Sequence, residues 1–229
     1  MKTISIASLA LFSFARFAAA ATPIVDSFDG GLDLWNVGGD ADILVIAGNS
    51  VAALTTAHPS LEFGVDAVNL SGNAPLEGGG DLEAFVGADY GSLDLGLFEQ
   101  ATEGSAIVIS TTISLGDVLS FDWNLLTHDV YGLDYAYLII NGEIVETLSS
   151  ASSIHPSDAG FGNESGFSTV SYTFTSEGPV TIAIGVVDIA DYAGTSTLLL
   201  DNFTIVPEPS AYLLGVLGLA PLARRRRRR

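Results

Sequence analysis

Hydrophobic and polar residues alternate one by one along much of the chain between residues 22 and 206. In the stretch VLSFDWNL, every second residue from Leu119 to Leu125 is apolar, and Trp123 belongs to this set. The stretch VTIAIGVV, which begins at Val180, alternates in the same way. A period of two residues is typical of β-strands that bury one face. We therefore expect half-buried strands in this part of the chain and a buried Trp123.

Segments rich in Gly, Asn and Asp separate these stretches at intervals of roughly ten residues, as in all-β proteins. Asn141 and Gly142 interrupt the stretch YAYLIINGEIVETL, and this dipeptide supplies the positive φ angles that a two-residue hairpin turn needs. The stretch ILVIAGNSVAAL predicts another hairpin, which turns at Gly48 and Asn49. Many short strands joined by tight turns favour an all-β fold, namely a single β-sandwich of the jelly-roll type.

Two segments, 69–94 and 149–166, break the alternation and are rich in Gly. The first of them is also rich in acidic residues, and we expect it to form a long loop or an irregular sheet edge. Loops on a rigid β-sandwich commonly carry the binding surface of the protein. If this domain binds a ligand, these two segments are where the sequence predicts the site.

Positive charge is confined to the two ends of the chain. Of the 8 Lys and Arg residues, six form the last six positions and the others are Lys2 and Arg16, so residues 17–223 contain none. Residues 22–206 hold 26 of the 27 acidic residues, because Glu208 is the one that lies outside. This charge disfavours nucleic acid and anionic membrane surfaces as partners. The chain contains no Cys, which excludes disulfides and thiolate zinc sites.

The N-terminal residues 1–21 have the layout of a secretory signal peptide. Lys2 precedes an apolar run from Ile4 to Phe14, and small alanine residues follow near the expected cleavage site. Arg16 departs from the usual pattern, because a charge so close to the cleavage site is uncommon. We expect a signal helix here, removed on export.

The C-terminal end has three parts. Pro207, Glu208 and Pro209 come first, and an apolar run over residues 211–223 follows. A helix of that length rises about 20 Å, which is less than the roughly 30 Å of a hydrocarbon core. Arginine side chains can extend such a helix towards the headgroups and keep its end on the cytoplasmic side. The arginines in this position are Arg224, Arg225, Arg226, Arg227, Arg228 and Arg229.

This order of motif, short apolar helix and arginine cluster resembles the PEP-CTERM protein-sorting signal of Gram-negative bacteria that make extracellular polysaccharide. The resemblance implies export, transient retention in the inner membrane, and recognition of the Pro-Glu-Pro motif by an exosortase, with cleavage there. The predicted domains are therefore a signal peptide over residues 1–21, a β-sandwich over 22–206, and a sorting signal over 207–229.

The first and last predicted strands resemble those of carbohydrate-binding jelly-roll modules, which commonly hold a structural calcium between their terminal strands. In STLLLDNFTI, alternation places Asp201 on the same side as Leu199 and Phe203. A buried carboxylate without a basic partner is costly, so it either accepts backbone N–H bonds at an edge or binds a cation. Asp26 and Asp29 would complete an oxygen-only calcium site with Asp201.

Aromatic residues in polar, turn-like segments are candidates for stacking on sugar rings. The principal candidates are Trp35, Tyr90 and Tyr131, and Tyr192 has a similar setting. Tyr135 lies in the predicted hairpin, where core packing is expected instead.

Catalytic candidates are few. The three His residues are scattered, the chain contains no nucleophile-elbow motif, and the sequence sets no two carboxylates at a defined separation. The leading interpretation is therefore a non-enzymatic, exported protein of the cell surface or extracellular matrix that binds exopolysaccharide with calcium support. The alternative is a secreted hydrolase that acts on polysaccharide from the same scaffold. The two differ in the expected site, since a hydrolase needs facing carboxyl groups and a binding module needs a shallow aromatic face.

Overall fold

A computed structural model describes residues 22–60, 69–129, 133–150, 155–156 and 162–207 of the chain. In this part of the protein, β-strands account for nearly all of the regular structure, and one short helix, α1, spans Asp81–Val86. The strands are β1 (Ile24–Asp26), β2 (Asn36–Gly38), β3 (Asp40–Ile46), β4 (Asn49–Thr55), β5 (Leu76–Glu77), β6 (Ala101–Ile113), β7 (Val118–Thr127), β8 (Tyr135–Ile140), β9 (Glu143–Ser150), β10 (His155–Pro156), β11 (Asn163–Glu164), β12 (Ser168–Thr173), β13 (Gly178–Ile189) and β14 (Ser196–Val206).

The strands form two antiparallel sheets that pack face to face. In the first sheet the order is β10, β11, β7, β14, β4 and β3, with β12 also paired to β7 and β1 also paired to β14. In the second sheet the order is β2, β6, β13, β8 and β9, with β5 also paired to β6. The first and last strands therefore lie side by side. This arrangement confirms the predicted all-β sandwich.

The main core lies between the two sheets and is built from the alternating residues that the sequence identified. Every second residue of β7 from Leu119 to Leu125, and every second residue of β13 from Val180 to Val186, belongs to it. Trp123 is 9% exposed, which confirms its predicted burial. Each large apolar side chain that is buried in this way contributes about 1.5–3 kcal/mol to the stability of the fold.

The segment 69–94, predicted as a long loop or an irregular sheet edge, contains some regular secondary structure and covers the outer face of the second sheet. It contains β5 and α1, and α1 packs Leu82 and Val86 against that face. Tyr135 is 2% exposed beneath this cover and donates a hydrogen bond to the carbonyl of Leu93 at 2.7 Å, so its predicted core position is confirmed. Such a short helix is not stable alone, and packing on the sheet decides its formation.

Two-residue turns close both predicted hairpins, one of them at a different position from the prediction. Asn141 and Gly142 adopt φ values of 51° and 85°, as the sequence predicted. In the other hairpin the turn residues are Ala47 and Gly48, with φ values of 52° and 91°, so the predicted turn at Gly48 and Asn49 is off by one residue. The pairing of Ile46 with Asn49 leaves Ala47 and Gly48 as the two turn residues.

Buried carboxylates rely on N–H and O–H donors, since residues 17–223 contain no Lys or Arg. Asp40 is fully buried and accepts hydrogen bonds from the backbone N–H groups of Leu70 and Ser71. The hydroxyls of Thr55 and Ser71 also donate to it. Hydrogen bonds to a charged group are stronger than neutral ones, so several donors can hold a carboxylate in the interior. These bonds also fasten the chain after residue 69 to the first sheet.

Candidate functional site

Asp26 and Trp35 lie inside the sandwich, where the first and last strands meet. Asp26 Oδ1 accepts a hydrogen bond from the backbone N–H of Phe28 at 2.8 Å, and Asp26 Oδ2 accepts one from Trp35 Nε1 at 2.8 Å. The Trp35 indole stacks on Phe28 and meets Phe203 edge-on, with ring centroids 6.1 and 4.8 Å apart. Trp35 is therefore a core residue, and its predicted role in sugar stacking is wrong. The polar residues around Trp35 in the sequence suggested an exposed position, and nothing in them indicated that Asp26 would accept its indole N–H in the core.

A β-bulge in β14 changes the face on which Asp201 lies. The pairing of β14 with β7 shifts just after Asp201, where Asn202 adopts a φ of 53°. Leu200 points into the main core before the bulge and Phe203 does so after it, whereas Leu199 belongs to a small outer cluster. The prediction that Asp201 shares a face with Phe203 is wrong, because the extra residue of a bulge inverts the alternation.

The three carboxylates predicted to bind calcium are not brought together. Asp26 faces the core, Asp201 lies on the outer face beside Asp122 of β7, and Asp29 is exposed. Calcium needs roughly six to eight oxygen ligands around one point, and both oxygens of Asp26 already accept hydrogen bonds. No group of three or more His, Cys, Asp or Glu among the described residues is arranged to hold a metal ion. These residues do not fit the predicted calcium site.

Two tyrosines present their rings to solvent at the edge of the second sheet. Tyr90 is 78% exposed and Tyr192 is 47% exposed. The Tyr192 hydroxyl donates a hydrogen bond of 3.5 Å to Glu77 Oε2, and the Tyr90 hydroxyl lies 3.6 Å from the position that a Cβ on Gly79 would take. Both phenols thus border the segment 77–79, and we call Tyr90, Tyr192 and Glu77 the tyrosine face. Tyr131, predicted with Tyr90, lies outside the described residues.

The turn that carries Tyr192 is fastened to β6. The Thr102 hydroxyl donates a hydrogen bond of 2.6 Å to the backbone carbonyl of Asp191, the residue before Tyr192. Partial burial raises the pKa of the Tyr192 phenol, and the nearby carboxylates of Glu77 and Glu103 raise it further. The phenol therefore stays neutral and sits in a negative local field.

Tyr90 follows α1, and the chain on either side of it is anchored. The N–H of Ala88 donates to the carbonyl of Glu83 at 2.8 Å where the helix ends, and the carbonyl of Leu93 accepts the hydroxyl of buried Tyr135. The exposed ring of Tyr90 thus stands on a fixed segment. Sequence analysis identified Tyr90 but missed Glu77, because a strand as short as β5 leaves no periodic signal.

A cleft of about 230 Å³ opens at the other end of β13. Tyr172 and Phe174 line it, together with polar residues of the two adjoining turns, among them Asn141, Glu143 and Glu177. Its volume is below the roughly 300–1,000 Å³ of typical small-molecule pockets. We therefore regard the tyrosine face as the better candidate site for an extended ligand.

Asp134 and Asp188 form a buried carboxyl pair that sequence analysis did not identify. Asp134 accepts hydrogen bonds from the backbone N–H of Ile189 at 3.1 Å and from the Ser196 hydroxyl at 2.5 Å, while the Thr102 hydroxyl donates to Asp188 at 3.2 Å. Burial raises the pKa of Asp134 to about 7. Burial, and next the charge of Asp134, raise the pKa of Asp188 to about 10. The pair therefore holds protons in the folded state at neutral pH.

The predicted sorting motif begins where the sandwich ends. Strand β14 ends at Val206, and the described residues stop at Pro207. Glu208, Pro209, the apolar run and the arginine cluster lie outside the described residues, as does the predicted signal peptide. Within the described ranges, no helix has the length and apolar character needed to cross a membrane.

Comparisons with known proteins give distant structural similarities. No family model and no curated protein matches the sequence. The K1 cleaved adhesin domain of Lys-gingipain from Porphyromonas gingivalis W83 is 12% identical with a TM-score of 0.44, and covers 82% of this chain and 99% of its own. A carbohydrate-binding module studied for specific mannan recognition is 11% identical with a TM-score of 0.38, and covers 83% of this chain and 98% of its own. Similarities at this level support no conclusion about the function of this chain.

Proposed function

We propose that this chain is an exported, non-enzymatic protein of the cell surface or extracellular matrix that binds polysaccharide through the tyrosine face. The observation that carries the proposal is the pair of exposed tyrosine rings, Tyr90 and Tyr192, held beside Glu77 on anchored segments. The ring of a tyrosine offers an apolar face and its hydroxyl a polar tip, which suits the alternating C–H and O–H surfaces of a sugar. The carboxylate of Glu77, next to the Tyr192 hydroxyl, can accept hydrogen bonds from sugar hydroxyls.

The state of the buried carboxyl pair supports binding rather than hydrolysis. A glycoside hydrolase needs two carboxyl groups that flank the scissile bond, one of them with a raised pKa. Asp134 and Asp188 have raised pKa values, but they are 1% and 3% exposed. A glycosidic bond has no access to them in this structure.

Removal of both exposed rings is expected to weaken polysaccharide binding. Because central aromatic contacts commonly dominate a binding surface, the double substitution Tyr90→Ala, Tyr192→Ala should lower the affinity about tenfold or more. Binding is measured on an array of bacterial and plant polysaccharides, and then by calorimetry with the strongest ligand. The matched control is Phe167→Ala, which removes a 52% exposed ring beside the first sheet and should leave binding unchanged. Equal binding by the double variant, or no binding by the unaltered protein, would overturn the proposal.

The export part of the proposal is supported by the two terminal signals. The signal-peptide layout of residues 1–21 precedes the sandwich, and Pro207, Glu208 and Pro209 follow directly after β14. We propose that an exosortase of the inner membrane recognises this motif, so that the membrane is a transient partner and the cell surface is the destination. The arginine cluster then serves as a cytoplasmic stop.

Processing at the Pro-Glu-Pro motif predicts a change in the mass of the protein. In a host that carries an exosortase, the surface form is expected to lack Arg224 to Arg229. Replacing Glu208 by Ala should make the full-length form accumulate in the membrane fraction, because the central residue of the motif is lost. Intact mass spectrometry of the surface and membrane fractions measures whether the tail has been removed. A surface form that still ends at Arg229 would show that residues 207–229 act as a membrane anchor without cleavage.

A further inference from the structure

The tyrosine face lies in a negative field that no basic residue of the domain balances. Glu77 is exposed beside Tyr192, and the charges of Glu77 and Glu103 both act on the Tyr192 phenol. Asp191 precedes Tyr192 in the same turn. Residues 17–223 contain no Lys or Arg, so no Lys or Arg of the sandwich forms an ion pair with these residues. Within the sandwich, the positive charge that complements this face comes from a ligand or from solvent ions.

Exposed tyrosine rings add a further preference for cations. The face of an aromatic ring attracts an ammonium group within about 6 Å of the ring centroid, and at an exposed site the gain in affinity is about two- to fivefold. Tyr90 and Tyr192 are exposed, and their hydroxyls lie near Gly79 and Glu77 respectively. A ligand with regularly spaced ammonium groups can therefore contact a carboxylate and an aromatic ring at once.

The same charges discriminate against the other classes of polysaccharide. An anionic polymer, with uronate, sulfate or phosphate groups, is repelled by Glu77 and by the other ionised acidic residues of the domain. A neutral polymer is not repelled, and its hydroxyls can donate hydrogen bonds to Glu77, but it forms no ion pair with the carboxylate. A polymer that carries positive charge gains this ion pair and the attraction of its ammonium groups to the ring faces in addition.

We infer that the tyrosine face selects polysaccharides with free, protonated amino groups, that is, polymers of de-N-acetylated amino sugars. This inference rests on the proposed polysaccharide-binding function and names the chemical class of the ligand. Glu77 accepts the ammonium group, and the rings of Tyr90 and Tyr192 pack on the sugar.

The test compares two short oligomers of equal length, β-1,4-linked glucosamine and its fully N-acetylated form, which differ in charge but share a backbone. Calorimetry of the whole protein at about pH 6, where amines remain protonated, gives the two affinities at low and high NaCl. We expect the amine form to bind about tenfold or more tightly, with a preference that falls as salt screens the charges. Glu77→Gln should weaken binding of the amine form about threefold or more and binding of the acetylated form by clearly less, because only the amine form loses an ion pair.

The matched control is Glu177→Gln, which makes the same change in net charge. Glu177 is exposed and precedes β13, whose length of about 35 Å separates it from the turn of Tyr192. A loss confined to Glu77→Gln supports the inference. Equal losses in both variants would overturn it, because the attraction would then be to net charge alone. Equal affinity for the two oligomers would also overturn it and leave the proposed function standing, whereas a protein that binds no polysaccharide on the array would refute the proposed function as well.

Discussion

Replacing Asp188 by Asn is expected to stabilise the protein at about pH 8 by at least about 2 kcal/mol, and to remove much of its loss of stability at alkaline pH. Burial, and next the charge of Asp134, raise the pKa of Asp188 from the ordinary 3.8 of an aspartic acid to about 10. The folded state thus keeps a proton that the unfolded state releases above about pH 4. Asparagine is neutral at every pH and can still accept the hydrogen bond from the Thr102 hydroxyl.

The sign of the pH effect follows from proton linkage. A group with a raised pKa binds more protons in the folded state, so the free energy of unfolding falls as pH rises from the unfolded pKa towards the folded one. Asp134, with a pKa of about 7, acts in the same direction. The unaltered protein should therefore be most stable near pH 4 and weaken towards pH 8 and above. Self-repulsion among the other carboxylates adds to this trend.

Urea unfolding across this pH range measures the effect. The matched control is Asp33→Asn, which removes an exposed carboxylate and should change the free energy of unfolding by less than about 0.5 kcal/mol at any pH. Below about pH 4 the Asp188→Asn variant and the unaltered protein should have similar stability, because both side chains are then neutral. If the Asp188→Asn variant is no more stable than the unaltered protein at alkaline pH, the folded state does not keep a proton on Asp188 and the raised pKa is refuted.

Truncation of Phe203 is expected to cost about 3–5 kcal/mol of folding free energy. Phe203 is fully buried and meets Trp35 edge-on, and it also stacks on Phe121 with ring centroids 6.4 Å apart. Phe203→Ala leaves a cavity at the point where both terminal strands pack on the core. The close packing of Trp35, which orients its indole N–H towards Asp26, would loosen as well.

Phe167→Ala provides the matched control for this effect. It makes the same chemical change at a ring that is 52% exposed, and should cost less than about 1 kcal/mol. Urea unfolding gives both values when the dependence of the free energy on urea concentration is unchanged. Equal costs for the two variants would mean that the bulge does not direct Phe203 into the core.

Hydrophobic alternation identified the strands that run through the centre of each sheet. β7 and β13 are long and regular, so their period of two residues survives in the sequence and predicts which face packs in the main core. The sequence did not show that the outer face of β13 is buried as well, under the segment 69–94. The turn at Asn141 and Gly142 was also predictable, because positive φ angles at both positions restrict the residue types that fit. The sandwich class follows from these local signals.

Tertiary structure alone decided where two of the predicted site residues, Asp201 and Trp35, lie. The bulge at Asn202 inverts the alternation of β14, and only the pairing with β7 reveals that Asp201 faces outwards. The burial of Trp35 depends on Asp26 of β1, which accepts the indole N–H, and on Phe203 of β14, which packs against the ring. Such effects depend on contacts between residues distant along the chain, which local patterns do not encode.

The tyrosine face and the buried carboxyl pair were also decided by the tertiary structure. Tyr90, Tyr192 and Glu77 come from three separate segments, and the packing of α1 and the fastening of the turn after β13 bring them to one edge. The sequence by itself determined that 26 carboxylates would fold without basic partners. Which of them would be buried, and that Asp188 among the buried ones would hold a proton, was decided by the tertiary structure, because desolvation depends on the surrounding atoms rather than on sequence neighbours.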